Sequence, residues 1–280
     1  MEVSVVVPTR DRADAVARCL RALAADGKPP DEVVIVDDGG RDTAALRGIV
    51  SRHPGARLVH ADGRGPAAAR NAGAAEAGGE IVCFTDDDCE PAPGWARLLA
   101  ARAREGTGAA AGRTMLAANA SAYDAATQTI VDRLQLDSLD PATGALGFAP
   151  TCNLACSRDL LNELPFDASF PDAAGEDREW CARIGAAGSP PGYEPRAVVR
   201  HRPRLTAGSF LRQHFRYGRG GARFRAATRA AGTLGSPPPA SFYRHLAAGA
   251  ARRGPAVAGL VGVAQLATAA GVAAERIAPG

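Results

Sequence analysis

Three consecutive carboxylates, Asp86-Asp87-Asp88, follow the apolar run Ile81-Val82-Cys83-Phe84 with only Thr85 between. The run reads as a buried strand of a parallel sheet. Carboxylates crowded at one strand end repel one another, so basic groups, solvent or a divalent cation must offset their charge. In open α/β sheets ligands bind at that edge. The triplet therefore points to a metal-phosphate site, with a solvated acidic turn as the plainer alternative. A second pair, Asp37-Asp38, ends the apolar run Val33-Val34-Ile35-Val36 and is followed by Gly39-Gly40. If the two strands are parallel neighbours, both acidic clusters share one sheet edge.

The elements around these clusters alternate. Strands are predicted at 3–7, 32–36, 56–60 and 80–84, with helices at 13–25, 42–52 and 67–77 between them. This β-α-β-α-β-α-β order implies a parallel sheet with right-handed crossovers. A helix over 95–104 and a strand over 109–115 follow. Residues 119–150 read as less regular. A strand near 146–154, a helix near 158–163, a helix over 177–187 and a strand over 194–201 come next. Beyond them lie a basic helix over 207–231, a Gly/Pro/Ser linker over 232–239 and an Ala-rich helix near 255–276.

The 280 residues suffice for one sizeable α/β domain with an appendage. The opening residues read as strand and turn, not as a secretory leader. None of the six cysteines forms a C-x-x-C pair, so free buried thiols in a reducing cytoplasm are expected. A zinc site from Cys152, Cys156, Cys181 and His201 matches no usual spacing. The net charge of +3 conceals an asymmetry: residues 1–195 carry 19 basic and 29 acidic residues, whereas 196–253 carry 13 arginines and no acid. That segment needs anionic company, either the acidic domain, a diphosphate or an anionic membrane surface. Nucleic acid is not expected as a partner, because no recognised binding module is present.

Five motifs in order, Val5-Val6-Val7-Pro8-Thr9-Arg10, Val36-Asp37-Asp38-Gly39, Ala69-Arg70-Asn71-Ala72-Gly73, Asp86-Asp87-Asp88 and Gly175-Glu176-Asp177, resemble family 2 glycosyltransferases of the GT-A fold. The resemblance covers roughly residues 1–202. It implies an α/β fold with a mostly parallel central sheet flanked by helices: a nucleotide-sugar-binding half over 1–115, an acceptor half over 116–202, and a basic helical C-terminal extension over 203–280. It also implies an inverting transfer of one sugar from a nucleotide-diphosphate donor, UDP-sugar favoured over dTDP and GDP, to a hydroxyl of a glycan, lipid or small molecule.

By the same resemblance, Pro8, Thr9 and Arg10 line the nucleotide pocket, and Asp37 or Asp38 accepts an imide N–H of the base, a task suited to a group that accepts without donating. Arg70 faces the diphosphate, where a guanidinium makes paired hydrogen bonds. Asp86 approaches the ribose. Asp88, with His201 as a further ligand, holds Mg²⁺ or Mn²⁺, and Asp87 approaches donor or metal. Glu176-Asp177 resembles the catalytic acidic pair, with Asp177 as general base; acidic residues at a helix start also suit the helix dipole. Asn153 is expected to touch the acceptor. Trp180 either floors the acceptor pocket or fills the core.

The chain departs from processive synthases, which carry Q-x-x-R-W; the nearest text is Arg212-Gln213-His214-Phe215-Arg216-Tyr217. A sugar-1-phosphate nucleotidyltransferase would open with a Gly-rich loop where Pro8-Thr9-Arg10-Asp11-Arg12 stands. A dinucleotide oxidoreductase would need G-x-G-x-x-G after the first strand. A non-catalytic nucleotide-sugar-binding scaffold stays open beside the enzyme. Residues 255–274 lack charge, yet only six are strongly apolar, offering a few kcal/mol toward insertion at most. They are expected to pack on the protein or to lie on the inner face of the membrane.

Overall fold

The computed structural model describes residues 2–170, 174–230 and 239–277. Its first half follows the expected alternation: β1 (Val3–Thr9), α1 (Ala13–Ala24), β2 (Glu32–Asp38), α2 (Thr43–Val50), β3 (Ala56–Ala61), α3 (Pro66–Glu76) and β4 (Ile81–Phe84). Then come β5 (Cys89–Pro91), α4 (Trp95–Glu105), β6 (Ala109–Leu116), α5 (Ala122–Asp137), β7 (Leu154–Ser157), α6 (Arg158–Glu163), α7 (Glu176–Ala186) and β8 (Gly192–His201). Three helices close the chain, α8 (Ala207–Ala230), α9 (Ala240–Arg252) and α10 (Pro255–Ile277).

The eight strands form one sheet in the order β3-β2-β1-β4-β7-β6-β8-β5. Strands β1 to β4 pair in parallel, as does β6 with β8; β7 and β5 run antiparallel to their neighbours. Side chains alternate across the sheet, as the two-residue period requires. Val5, Val7, Val33 and Ile35 pack into the core on one face with Leu20 and Trp95, while Val6, Val34, Val36 and Phe84 pack into the core on the other with Trp180.

Several expectations need correction. Residues 119–150 are not irregular: α5 occupies sixteen of them and opens on a capping box between Ser121 and Asp124. Its buried face carries Thr127, Gln128, Thr129 and Gln135, so it lacks the apolar period by which a helix is read. Those groups find partners instead. Gln135 Nε2 donates to the Gly112 carbonyl at 3.1 Å, and Thr127 Oγ1 meets His214 Nε2 at 3.0 Å. The strand expected near 146–154 starts only at Leu154, after a 3₁₀ turn over Thr151–Asn153. β5 and α9 have no counterpart in the sequence reading. The expected linker over 232–239 lies outside the described residues except for Pro239.

A third core joins α5 to the C-terminal helices through Ala126, Ile130, Phe210, Phe242, Leu246, Val257, Val261 and Ala264. The extension after residue 202 thus shares its packing with a helix of the expected acceptor half.

Candidate active site

The C-terminal ends of β1, β2 and β4 converge. Thr9 pairs with Asp37 in the β1–β2 register, and Asp37 with His60 in β2–β3. Asp37 is occupied locally: it accepts from Gly40 N at 2.8 Å and Thr43 Oγ1 at 3.0 Å. Asp38 accepts from Gly65 N at 3.1 Å through one oxygen, and its buried Oδ1 has no partner. A buried unpaired acceptor is costly unless something binds to it. Of the two, Asp38 is the one with an acceptor to spare. Pro8 is half-buried and Arg10 exposed at the same edge.

The acid triplet is divided among three tasks. Asp86, part-exposed, accepts from Arg70 Nη2 at 3.0 Å. Asp87 is fully buried; it accepts from Thr9 Oγ1 at 2.6 Å and pairs with Arg12 at 2.8 Å. It therefore braces the end of β1 against the triplet, and with no exposed side-chain surface it is the least accessible of the three acids to a donor or metal. Burial raises its carboxyl to about 7, although Arg12 pulls the other way. Asp88 pairs with Arg12 Nη1 at 2.8 Å and with His201 Nε2 at 3.3 Å. Burial would raise Asp88, but the His201 hydrogen bond and charge outweigh it, with Arg12, and hold it at about 2. Burial lowers His201, and Asp88 more than compensates, so the imidazole rises to about 9.

The approach of residues 88 and 201 follows from β5. This three-residue strand pairs antiparallel with β8, Cys89 opposite His201, and Arg202 N donates to the Asp88 carbonyl at 2.9 Å. Asp88, Cys89 and His201 place one ligand atom each within 4.8 Å of one another. The Asp88 carboxylate suits Mn²⁺ or Mg²⁺, and the His201 imidazole, once it gives up its proton, suits Mn²⁺ better than the harder Mg²⁺, whereas the buried Cys89 thiol, pushed up by burial, stays protonated and is a poor donor to a hard ion. Among the described residues no other such cluster forms, so the Cys152, Cys156, Cys181 and His201 zinc alternative fails. All six cysteines are buried and free.

Arg70 links the triplet to the second acidic pair. Gly73, one turn on, lies so close to the sheet that a Cβ there would come within 2.4 Å of Val6 Cγ1. That seating of α3 buries Arg70, whose Nη1 reaches Glu176 Oε1 at 3.2 Å. Its Nε and Glu176 Oε2 are buried without partners. The expectation that Arg70 faces a diphosphate is thus refined: its Nη atoms already hold two carboxylates. Gly175 adopts φ +97°, and a Cβ there would meet the Gly220 carbonyl of α8 at 2.7 Å, so only glycine admits this turn into α7. Burial and the neighbouring Asp177 raise Glu176 to about 7 against the pull of Arg70. Asp177 is also raised by burial; one oxygen accepts from Arg178 N at 2.8 Å. Its other oxygen accepts no hydrogen bond among the described residues.

Two expected acceptor contacts are core residues. Asn153 is fully buried, accepting from Trp95 Nε1 at 2.8 Å and donating to the Ala197 carbonyl at 3.2 Å. Trp180 is fully buried, stacks on Phe166 and donates to the Leu164 carbonyl at 2.7 Å. Neither has a free polar atom to offer a substrate. Conversely, Arg12 and Tyr217 were missed. Arg12 had a signal, a second cation beside Arg10 in the turn before α1, at the sheet edge where the acid triplet needs charge offset. Tyr217 accepts from Gln213 Nε2 at 2.6 Å, and burial raises its hydroxyl with help from the charges of Asp177 and Glu176. It belongs to the Gln213–Tyr217 stretch nearest to Q-x-x-R-W.

The glycosyl transferase family 2 model matches residues 4–164. The chain is 27% identical over 223 residues to the pre-mycofactocin glycosyltransferase of Mycobacterium tuberculosis, covering 78% of this chain and 46% of that protein. It thus spans about half the length of that relative. The glycosyltransferase AglE of Haloferax volcanii is 26% identical over 231 residues, 78% of this chain and 72% of that one. The mannosyltransferase PcManGT from Pyrobaculum calidifontis, solved with GDP-Man and Mn²⁺, shares the GT-A fold at a TM-score of 0.62 and 24% identity, covering all of this chain and 76% of that chain. From its motifs, its sheet and the match over more than half its length, the chain belongs to glycosyl transferase family 2.

Proposed function

We propose that this protein is an inverting, metal-assisted glycosyltransferase that moves one sugar from a nucleotide-diphosphate donor to an acceptor hydroxyl. The observation that carries the reading is the bridge from Asp86 through Arg70 to Glu176, which joins the acid triplet to the Glu176-Asp177 pair. Residues 1–115 form the donor half and 116–202 the acceptor half.

Asp38 Oδ1 receives the imide N–H of the base, Pro8, Thr9 and Arg10 border the nucleotide, and Asp86 meets the ribose. Asp88 and His201 would hold Mn²⁺ or Mg²⁺; their donor types and proximity fit such an ion, and bound there it supplies positive charge beside the diphosphate. The open oxygen of Asp177 takes the proton of the acceptor hydroxyl as that oxygen bonds to the anomeric carbon. The bond from that carbon to the diphosphate oxygen breaks on the opposite face, and the leaving group keeps the electron pair. One displacement inverts the anomeric centre. A carboxyl raised by burial is a better proton acceptor than a solvated one.

A carboxylate facing an imide suits uracil, so UDP is the favoured carrier. GDP is the second reading, favoured by the fold neighbour's complex with GDP-Man. Six free, buried thiols fit a reducing cytoplasm. A thermal-shift panel of UDP, dTDP and GDP, with and without Mn²⁺, tests the donor assignment, because a ligand that binds only the folded state raises its melting temperature. Stabilisation by UDP that grows with Mn²⁺ is expected. No response to any nucleoside diphosphate would overturn the reading.

A further inference from the structure

We propose that the outer face of α8 and α10 seats this protein on an anionic lipid bilayer. The inference rests on the surface alone and stands apart from the donor, metal and base assignments.

α10 is 23 residues long and apolar enough to cross a membrane by length and composition, yet only 22% of its most apolar stretch is buried in the protein. Its covered side, Val257, Val261, Ala264, Gly271 and Glu275, packs on α5, α8 and α9. The opposite side carries no charge from Pro255 to Leu266 and leaves Val263 41% and Leu266 73% exposed. Beside it α8 exposes Leu211 at 45% and Phe215 at 37%. Leu211 and Phe215 border an open groove of about 640 Å³ with Ser209, Arg212, Arg216 and Ala267. Large apolar side chains exposed together on one face call for a covering.

Charge selects the cover. Arg212, Arg216 and Arg229 are exposed on α8 and have no acidic partner among the described residues. Other arginines of the basic segment are already paired, Arg202 with Glu90, Arg253 with Asp132, and Arg219 and Arg223 with the single carboxylate of Glu275. Complementing the acidic domain therefore accounts for part of the basic excess and leaves this face positive. Apolar side chains rimmed by unpaired arginines match the boundary between acyl chains and anionic headgroups.

The same packing argues against a span. A Cβ on Gly218 would meet the Thr268 carbonyl at 2.0 Å, and one on Gly271 the Phe215 carbonyl at 2.0 Å, so the two helices touch backbone to backbone. α8 carries six arginines. α10 cannot cross a bilayer without drawing that helix in or breaking this contact and the third core.

Flotation of the full chain tests the proposal, with vesicles of pure phosphatidylcholine and of phosphatidylcholine with phosphatidylglycerol. Binding to the anionic vesicles alone is expected, falling about tenfold at high salt as screening shortens the reach of exposed charge. Leu266→Glu, and separately Arg212→Gln with Arg229→Gln, should each cut the bound fraction about tenfold. Both variants should keep their melting temperature and their response to UDP and Mn²⁺, which separates loss of docking from loss of fold. Four results would overturn the proposal: no binding at low salt, equal binding to neutral vesicles, binding that survives both salt and carbonate, or a sedimentation equilibrium in which Leu266→Glu abolishes a dimer while vesicle binding is absent.

Discussion

Arg70 Nη1 stands 3.2 Å from Glu176 Oε1, so α3 and α7, 106 residues apart in sequence, share one buried ion pair. Both side chains are buried; Arg70 also holds Asp86, whereas Glu176 has Arg70 as its cationic partner. Breaking such a pair costs about 3–5 kcal/mol. Arg70→Met should destabilise the fold by that order in a denaturant titration. Adding Glu176→Gln should return a large part of it, and a double-mutant cycle checks the coupling. Additive losses would mean that the pair is incidental.

Removing the proposed metal donors should be selective. In Asp88→Ala or His201→Ala, the extra stabilisation that Mn²⁺ gives to nucleoside-diphosphate binding should vanish. At ligand concentrations a hundredfold above Kd, binding is worth about 2.7 kcal/mol. Differential scanning fluorimetry with Mn²⁺ or EDTA resolves a change of that size. Equal melting shifts under the two conditions would remove Asp88 and His201 from the metal site.

Asp177→Asn keeps the shape of the side chain and removes the proton acceptor. Transfer should fall roughly 10²- to 10⁴-fold, with donor affinity nearly unchanged. If transfer persists within a few fold, Asp177 is a helix-start residue and another group takes the proton.

The pH profile should carry the signature of the pair. Glu176 is raised to about 7 and Asp177 is raised beside it, each by burial first, so the base form accumulates only as the pair loses its protons. The acid limb of kcat/KM should therefore lie above the pH near 4 at which an exposed aspartate titrates. Glu176→Gln should move the limb downward, because a neighbouring negative charge is gone. The sign for stability is opposite: a carboxyl that holds its proton more tightly folded than unfolded weakens the fold as pH rises from about 4.5 to about 7.

Much of this was legible in the sequence. Strands β1, β2 and β4 are built on the apolar runs Val5–Val7, Val33–Val36 and Ile81–Phe84, and the acids that follow the last two had to lie along one edge once the pairing was parallel. Asp88 and His201 were expected at one metal by resemblance alone, and β5 is the element that brings them together; three residues, Cys89–Pro91, are too few to carry a visible period. α5 escaped notice because its buried side is polar and satisfied by specific partners instead of by oil-like packing. Asn153 was misjudged because a motif position says where a residue sits in the chain but not which way it points. Here it points at Trp95 and Ala197.

The close approach of Gly175 and Gly220 bears on how such a protein can be cut and joined. A Cβ on Gly220 would lie 2.0 Å from the Ala174 carbonyl, beside the turn that aims Glu176 and Asp177. A graft that replaced the tail after residue 202 would import a different surface at that crossing, and the acids would tilt even if the new tail carried every charge of the old one. The Gly175-Glu176-Asp177 turn and its tail are in that sense a single heritable unit, and chimaeras within the family should succeed only when the junction lies upstream of α7 or when the incoming helix keeps its glycine.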